Sequence, residues 1–162
     1  MDTVGFARHD HDVCIETGLA AVEAQCAEAG LQLTPVRRRV LEILMQRHAA
    51  MGAYDILDIL REEGLGAQPP VAYRALDFLT THGFVHRIER LNAFVACTHP
   101  GARHAPTFLI CRSCSAVAEA CAAPPVAEIR SAAAELGFAI EKVAIEAEGL
   151  CPACRTGVAP CA

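Results

Sequence analysis

The sequence lacks the features that mark membrane and exported proteins. It has no run of 18 or more apolar residues, whereas a membrane-spanning helix needs about 20. The first residues, Met1 to Gly5, lack the basic and apolar regions of a secretory signal peptide. With 53% apolar residues, a chain of 162 residues can bury one core or two small ones. We therefore expect a cytoplasmic protein without a membrane partner.

Net positive charge is also absent, because the formal charge at pH 7 is −5. This value argues against a general nucleic-acid binder. The charge is unevenly distributed, however. Residues 1–30 carry six acids and one arginine, whereas residues 31–90 carry eight arginines against seven acids. A locally positive face can still bind DNA, and a dimer would present that face twice.

Four of the nine cysteines form two Cys-x-x-Cys motifs. The first is Cys111 with Cys114, and the second is Cys151 with Cys154. A tight turn with two residues between the cysteines aims both sulfurs at one ion, and two such turns complete a closed tetrahedral shell. The motifs predict a structural zinc site that ties together the ends of a subdomain, since 36 residues separate them. The alternatives are two disulfides or a redox Cys-x-x-Cys motif, but an odd cysteine count without an export signal favours reduced thiolates.

Further nitrogen, sulfur and oxygen donors lie around the first motif and predict a second metal site. They are His86, Cys97, His99, His104 and Glu119. The remaining donors have simpler interpretations. His9 and His11 fit a solvated chain end. Small apolar or exposed thiols account for the other cysteines, which are Cys14, Cys26, Cys121 and Cys161.

The sequence of the first half of the chain predicts helices followed by a β-hairpin. Apolar spacing, N-cap signals and glycine stops predict helices over residues 13–29, 35–45, 53–63 and 71–82, with Pro69-Pro70 opening the last. Alternating apolar and polar residues predict strands over 84–89 and 93–97. The last three of these helices and the hairpin that follows them form a winged helix-turn-helix, in which the last helix enters the DNA major groove.

Two groups of residues are the candidate DNA contacts. Tyr73 and Arg74 lie off the apolar stripe, near the start of the helix that would enter the groove, and are predicted to face bases. Arg37 and Arg38 belong to a run of three arginines on the second helix. Such a run is usually a solvated face, although in a nucleic-acid binder it would contact phosphates.

The second half of the chain has a different pattern. Strands are predicted over residues 107–111, 116–119 and 138–147, with a helix over 125–136, which gives a small ββαβ subdomain. The segment 98–106 contains Pro100-Gly101 and is the natural hinge. The predicted fold is therefore α+β, with a winged-helix DNA-binding domain over 1–97 and a dimerisation and zinc-binding domain over 107–162.

Several of these motifs together resemble the ferric uptake regulator family, over about residues 13–156. The matching segments are 33–37 (LTPVR), 53–57 (AYDIL), 69–79 (PPVAYRALDFL), 83–86 (GFVH) and both cysteine motifs. Residues 75–79 and 145–151 are similar to the zinc uptake regulator branch. The resemblance implies a non-enzymatic, homodimeric repressor of zinc-uptake genes that binds a pseudo-palindromic DNA operator. An iron- or peroxide-responsive regulator, a thiol oxidoreductase and a metal-storage protein are the alternatives.

The resemblance also implies roles for individual residues and two zinc ions per subunit. Cys111, Cys114, Cys151 and Cys154 match the family's structural zinc ligands, and His86, Cys97, His104 and Glu119 match the regulatory ones. His99 competes with His104 as a ligand. One departure is Val71-Ala72, where the family commonly has Thr-Val. The threonine hydroxyl can cap a helix or contact a phosphate, and valine can do neither. We expect this loss to affect DNA affinity rather than the fold.

Overall fold

A computed structural model of the chain describes residues 11–47, 49–65, 68–101, 104–120 and 126–157. The predictions for His9, Cys121 and Cys161 lie outside the described residues, as do those for the side chains of His11 and Cys14. The chain forms two compact units. The N-terminal unit holds the described residues up to Gly101, and the C-terminal unit holds those from His104 to Gly157. The division falls within the predicted hinge, whose limits remain a prediction, as do those of the domains.

The N-terminal unit consists of four helices and a hairpin. Its elements are α1 (His11–Glu28), α2 (Pro35–Met45), α3 (Ala53–Glu62), α4 (Pro69–Thr81), β1 (Val85–Ile88) and β2 (Ala93–Ala96). Each lies within about two residues of its predicted position. No helix in the described ranges is long and apolar enough to cross a membrane.

Local sequence signals explain where these helices begin. Thr34 caps α2, because its hydroxyl accepts a hydrogen bond from the Arg37 backbone N–H at 3.4 Å and Pro35 follows at the first helical position. At the start of α4, Pro69 and Pro70 carry no N–H groups that would need a partner. The missing hydroxyl at Val71 therefore does not prevent this helix from starting.

The core of the N-terminal unit is built from one apolar stripe on each helix. Val22 of α1, Leu41 of α2, Ile56 of α3 and Leu76 of α4 are each at most 1% exposed. The hairpin closes this core, since β1 and β2 pair antiparallel from Val85 opposite Ala96 to Ile88 opposite Ala93. This arrangement of helices and hairpin is the predicted winged helix-turn-helix.

The C-terminal unit is smaller and has a mixed sheet. Its elements are β3 (Thr107–Cys111), β4 (Val117–Ala120), α5 (Val126–Glu135), β5 (Ile145–Gly149) and α6 (Pro152–Thr156). The strand order is β4-β3-β5, with β3 antiparallel to β4 and parallel to β5. The predicted ββαβ order is present, with α6 as a short addition that the sequence analysis missed.

The last strand differs from its prediction. It was expected over residues 138–147, but β5 spans only Ile145–Gly149 and residues 138–144 contain no strand. The reason is the length of its partner. β3 begins at Thr107, opposite Ile145, directly after Pro106, which has no N–H to extend the ladder. Alternating hydrophobicity alone does not make a strand where the neighbouring strand cannot continue the ladder of hydrogen bonds.

Candidate metal centres and nucleic-acid interface

The two Cys-x-x-Cys motifs meet in the C-terminal unit. Cys111 is the last residue of β3, and Cys114 lies in the turn that follows. Cys151 is the N-cap residue of α6, and Cys154 lies within that helix. Because β3 and β5 run parallel, the motifs that follow these two strands emerge at the same end of the sheet. The four sulfur atoms all lie within 4.8 Å of one another.

This sulfur cluster fits the dimensions of a zinc site. Zn–S bonds of about 2.3 Å in a tetrahedral shell place the sulfurs about 3.8 Å apart. The Sγ atoms of Cys114 and Cys151 are 3.8 Å apart. Both motifs therefore converge on one point, as expected for a single ion rather than for two independent pairs. Four sulfur donors leave no coordination position for a substrate, so the cluster suits a structural role.

The four thiols differ in their affinity for protons. The Cys151 backbone N–H donates to Cys111 Sγ at 3.3 Å, and this hydrogen bond, together with weaker ones from the turn after β3, lowers the pKa of the Cys111 thiol to about 6. Burial raises the pKa of the Cys114 thiol to about 12. Without a metal, Cys111 therefore loses its proton more readily than Cys114. A metal that takes both sulfurs must displace at least the Cys114 proton.

A second donor pair lies in the same unit. His104 Nε2 and Glu119 Oε1 are 2.7 Å apart. Glu119, on β4, is 5% exposed and is the one buried acidic residue in the part of the chain that the structure describes. A buried carboxylate needs a charged or hydrogen-bonding partner, and the imidazole provides one. The pair thus offers one nitrogen and one oxygen donor that already lie together.

The N-terminal unit carries a matching pair on its hairpin. His86 lies on β1, and Cys97 directly follows β2. Cys97 is 4% exposed, and its backbone N–H donates to the Phe84 carbonyl at 2.9 Å. The ligand atoms of His86 and Cys97 lie within 4.8 Å of each other. An imidazole nitrogen and a sulfur at this distance are a donor pair suited to zinc.

His99 belongs to neither of these two donor pairs. It is exposed in the turn after Cys97, and its Nδ1 lies 2.9 Å from the Thr98 hydroxyl. This hydrogen bond occupies one of its ring nitrogens. The geometry therefore favours His104 over His99 as the partner of Glu119, while a separate role for His99 stays a prediction.

Helix α4 presents an exposed surface of the kind predicted for DNA recognition. Tyr73 is 47% exposed, and Arg74 next to it is also exposed and has no ion pair with any described residue. Tyr54, at the start of α3, is 66% exposed and makes an edge-to-face contact with Tyr73 at a centroid distance of 6.5 Å. Tyr54 is not among the contacts predicted from the sequence, although its position off the apolar stripe of α3 is a usable signal.

The arginines of α2 are engaged within the chain. Arg37 donates to the Gln32 carbonyl at 2.6 Å, and its guanidinium lies 3.7 Å from the centre of the Phe78 ring on α4. Arg38 forms ion pairs with Glu23 of α1 at 2.7 Å and with Glu42. The predicted phosphate contacts of these arginines therefore compete with existing internal contacts, most strongly at Arg38.

The chain is similar to known metal-dependent regulators. Residues 28–148 match the ferric uptake regulator family. The zinc uptake regulation protein of Escherichia coli (strain K12) is 44% identical over 137 residues, which are 84% of this chain and 80% of that protein. A solved zinc uptake regulator complexed with zinc and DNA is 42% identical, covers 88% of this chain and 96% of its own, and has a TM-score of 0.84. The crystal structure of holo XcZur is also 42% identical, and the match covers 86% of this chain and 98% of that chain with a TM-score of 0.79.

Proposed function

Since the chain belongs to the ferric uptake regulator family, we propose that it is a zinc-responsive transcriptional repressor of zinc-uptake genes. In this role it binds operator DNA in the cytoplasm as a zinc-loaded dimer and catalyses no reaction. The relatives named for zinc uptake support this function, at 42–44% identity over most of the chain. The observation that carries it is the pairing of zinc-type donors, with one such pair in each unit.

The first of two zinc ions per subunit is assigned to Cys111, Cys114, Cys151 and Cys154. Their mutual distances, within 4.8 Å, support this assignment. The site ties the turn after β3 to the N-terminus of α6, so that the binding free energy of the metal becomes folding free energy of the C-terminal unit. A thiol oxidoreductase would need an exposed pair of reactive thiols instead, and the grouping of all four sulfurs argues against that alternative.

The second zinc ion is assigned to His86 and Cys97 together with His104 and Glu119. Two imidazoles, one thiolate and one carboxylate form a four-coordinate set that is neutral with Zn²⁺. When bound, the ion supplies a fixed link between the two donor pairs. The thiolate of Cys97 favours zinc over iron(II), which in such sites prefers imidazole and carboxylate ligands, and this argues against an iron- or peroxide-responsive regulator.

This division of ligands gives a mechanism for the response to zinc. His86 and Cys97 belong to the hairpin of the DNA-binding unit, whereas Glu119 belongs to the sheet of the other unit. When all four residues bind one ion, they restrict the hinge and fix the orientation of each α4 in a dimer. Thermodynamic linkage then requires that operator DNA raises zinc affinity by the same factor by which zinc raises operator affinity.

The surface of the C-terminal unit supports a homodimer. Helix α5 has no buried residues, and in the segment after it Leu136 is 84% exposed and Phe138 is 66% exposed. Large exposed apolar side chains are typical of surfaces that bind another protein. A second copy of the chain is the partner that the family implies, and two symmetric copies would bind a pseudo-palindromic operator.

On the DNA side, we assign base contacts to Arg74 and Tyr73 and add Tyr54 as their neighbour. All three are exposed, and an arginine without an internal ion pair can make bidentate hydrogen bonds to guanine. Arg37 and Arg38 remain assigned to phosphates. Arg37 also contacts α4 through Phe78, so its loss would affect the position of the recognition helix.

Chromatin immunoprecipitation with sequencing, in cells with and without a zinc chelator, tests the function. We expect peaks next to genes for zinc transport, and we expect the chelator to remove them. The recovered sites then supply the operator for binding assays with purified protein. Peaks that respond to iron depletion but not to zinc depletion would contradict the proposal.

A further inference from the structure

The turn after Cys97 is held by a side chain from the other end of the unit. The Gln25 side-chain amide, on α1, donates a hydrogen bond to the Pro100 carbonyl at 2.8 Å, across 75 positions of sequence. Both residues are half-buried. Helix α1 therefore contacts the segment through which the chain leaves the N-terminal unit, in addition to packing against α2.

Gly101 shows how closely this contact is built. Its φ angle is +86°, a region that residues with a side chain rarely adopt. A Cβ atom at Gly101 would lie 2.5 Å from Gln25 Nε2 and 2.7 Å from its Cδ and Oε1 atoms. The Gln25 amide thus packs directly against the Gly101 backbone, in space that any other residue at position 101 would occupy.

Cys97 consequently lies between two fixed points. On its N-terminal side, its own backbone N–H is bonded to the Phe84 carbonyl at 2.9 Å. On its C-terminal side, Pro100 is bonded to Gln25, and the proline ring restricts the backbone there. The predicted hinge begins at Thr98, but the hydrogen bond from Gln25 is a tether that joins Pro100 to α1, so that the first residues of the predicted hinge are held against the N-terminal unit.

We propose that Gln25 is a positioning residue that preorganises Cys97 and the following turn for zinc binding. The inference rests on the proposed function, in which Cys97 is a ligand of the regulatory ion. Without the tether, zinc binding itself must order the segment 98–101, and this cost lowers the apparent zinc affinity. Once zinc is bound, the ligands hold the segment, and DNA affinity no longer depends on Gln25.

The substitutions Gln25→Met and Gln25→Ala test this role. Methionine keeps the shape of glutamine but cannot donate, and alanine removes the contact entirely. We expect the zinc concentration that half-saturates operator binding to rise about fivefold in both variants, the value of one neutral hydrogen bond. Operator affinity at saturating zinc, and in its absence, should stay at the wild-type level. Glu28→Ala, at an exposed position one helical turn away, is the matched control and should leave all three quantities unchanged.

A second measurement requires neither zinc nor DNA. In the zinc-free wild type, ¹⁵N relaxation should give order parameters of about 0.85 for Thr98, His99 and Gly101. In both Gln25 variants the values should fall below about 0.6. Gly101→Ala should have a similar effect, since its methyl group displaces the Gln25 amide. The double variant with Gln25→Met and Gly101→Ala should have a half-saturating zinc concentration no higher than that of the more strongly affected single variant.

The outcomes separate this inference from the proposed function. A wild-type protein whose operator binding ignores zinc would contradict the function, while the relaxation data would still report on the tether. If the wild type responds to zinc and both Gln25 variants keep its half-saturating concentration, the positioning role is wrong. A loss of operator affinity at saturating zinc would also overturn it, because Gln25 would then act on the DNA-binding surface.

Discussion

The two units of the molecule are stabilised in different ways. The N-terminal unit has a continuous apolar core with contributions from all four helices, and many of its side chains are fully buried. In the C-terminal unit the buried apolar side chains are few, and α5 adds none of them. The buried residues there include two of the four clustered cysteines, Cys111 and Cys151.

This contrast indicates what a metal ion in the sulfur cluster would contribute. A small unit with one mixed sheet buries too little apolar surface to be stable alone, and metal binding is a common substitute for a core. The C-terminal unit should therefore depend on zinc and on a partner copy for its stability. The N-terminal unit should fold without either, so that its exposed residues are available for DNA and for sensing.

The largest effect should follow from Cys114→Ser. Three ligands remain, and we expect the C-terminal unit to lose its structural zinc and more than about 4 kcal/mol of stability, because ligand loss removes folding free energy. Circular dichroism, zinc analysis and sedimentation would show a monomer with the N-terminal helices intact. Arg112→Ala, in the same turn, is the control and should remain a zinc-containing dimer. A Cys114→Ser protein that stays a tight dimer with full zinc content would show that the two motifs do not share one ion.

Leu41→Ala tests the other half of the contrast. Leu41 is fully buried in the N-terminal core, and its truncation should cost about 2–5 kcal/mol. The loss should be the same in zinc buffer and in chelator, since no metal contributes to this core. Thermal unfolding followed in both conditions provides the measurement. If the stability lost in Leu41→Ala depended on zinc, the N-terminal core would also be stabilised by metal, and the contrast between the two units would be wrong.

Arg74→Ala should come next in size and act on DNA binding alone. We expect it to weaken specific operator binding by about 1–3 kcal/mol and to leave stability unchanged, since Arg74 is exposed. Arg38→Ala is a matched comparison, because its charge is already balanced by Glu23 and Glu42. The Arg38→Ala substitution should weaken binding to all DNA sequences alike, by less than about 1 kcal/mol. Fluorescence anisotropy with operator and scrambled DNA would distinguish the two, and equal binding by wild type and Arg74→Ala would refute the assignment of α4.

The dependence of zinc binding on pH gives a smaller, graded effect in the C-terminal unit. Burial raises the pKa of Cys114 to about 12, so its proton must leave when the metal binds. Zinc affinity should therefore fall at least tenfold, about 1.4 kcal/mol, for each unit by which the pH is lowered below 8. Hydrogen bonding lowers the pKa of Cys111 to about 6, so the slope should steepen below pH 6. Calorimetry in buffers of different ionisation enthalpy counts the protons, and a flat profile would contradict four-thiolate binding.

Much of this architecture was predictable because local chemistry specifies it. Thr34-Pro35 starts α2, and Pro69-Pro70 starts α4, whatever the rest of the chain does. The spacing of Cys111 and Cys114 requires a turn that aims both sulfurs one way. The sulfur cluster could therefore be predicted as a set, although the distances within it depend on how β5 pairs with β3.

The parts that were missed depend on contacts between distant residues. The start of β3 at Thr107 decides where β5 begins, and the alternating pattern over 138–144 carries no information about that partner. Likewise, nothing around Gln25 predicts a bond to Pro100, because the two are 75 positions apart. The pairing of Arg38 with Glu23 is hidden for the same reason, and the arginine run alone predicted only a solvated or phosphate-binding face.

The central claim is that the four clustered cysteines stabilise the fold, whereas the mixed donors sense zinc. A zinc titration of operator binding by Cys97→Ser tests it most directly, with His99→Ala as the control at a neighbouring donor. We expect Cys97→Ser to remain a folded dimer that holds one zinc ion per subunit, and to bind the operator no better with added zinc than without. The His99→Ala protein should respond like the wild type. A Cys97→Ser protein that still responds fully to zinc would contradict the claim and would place the sensor elsewhere.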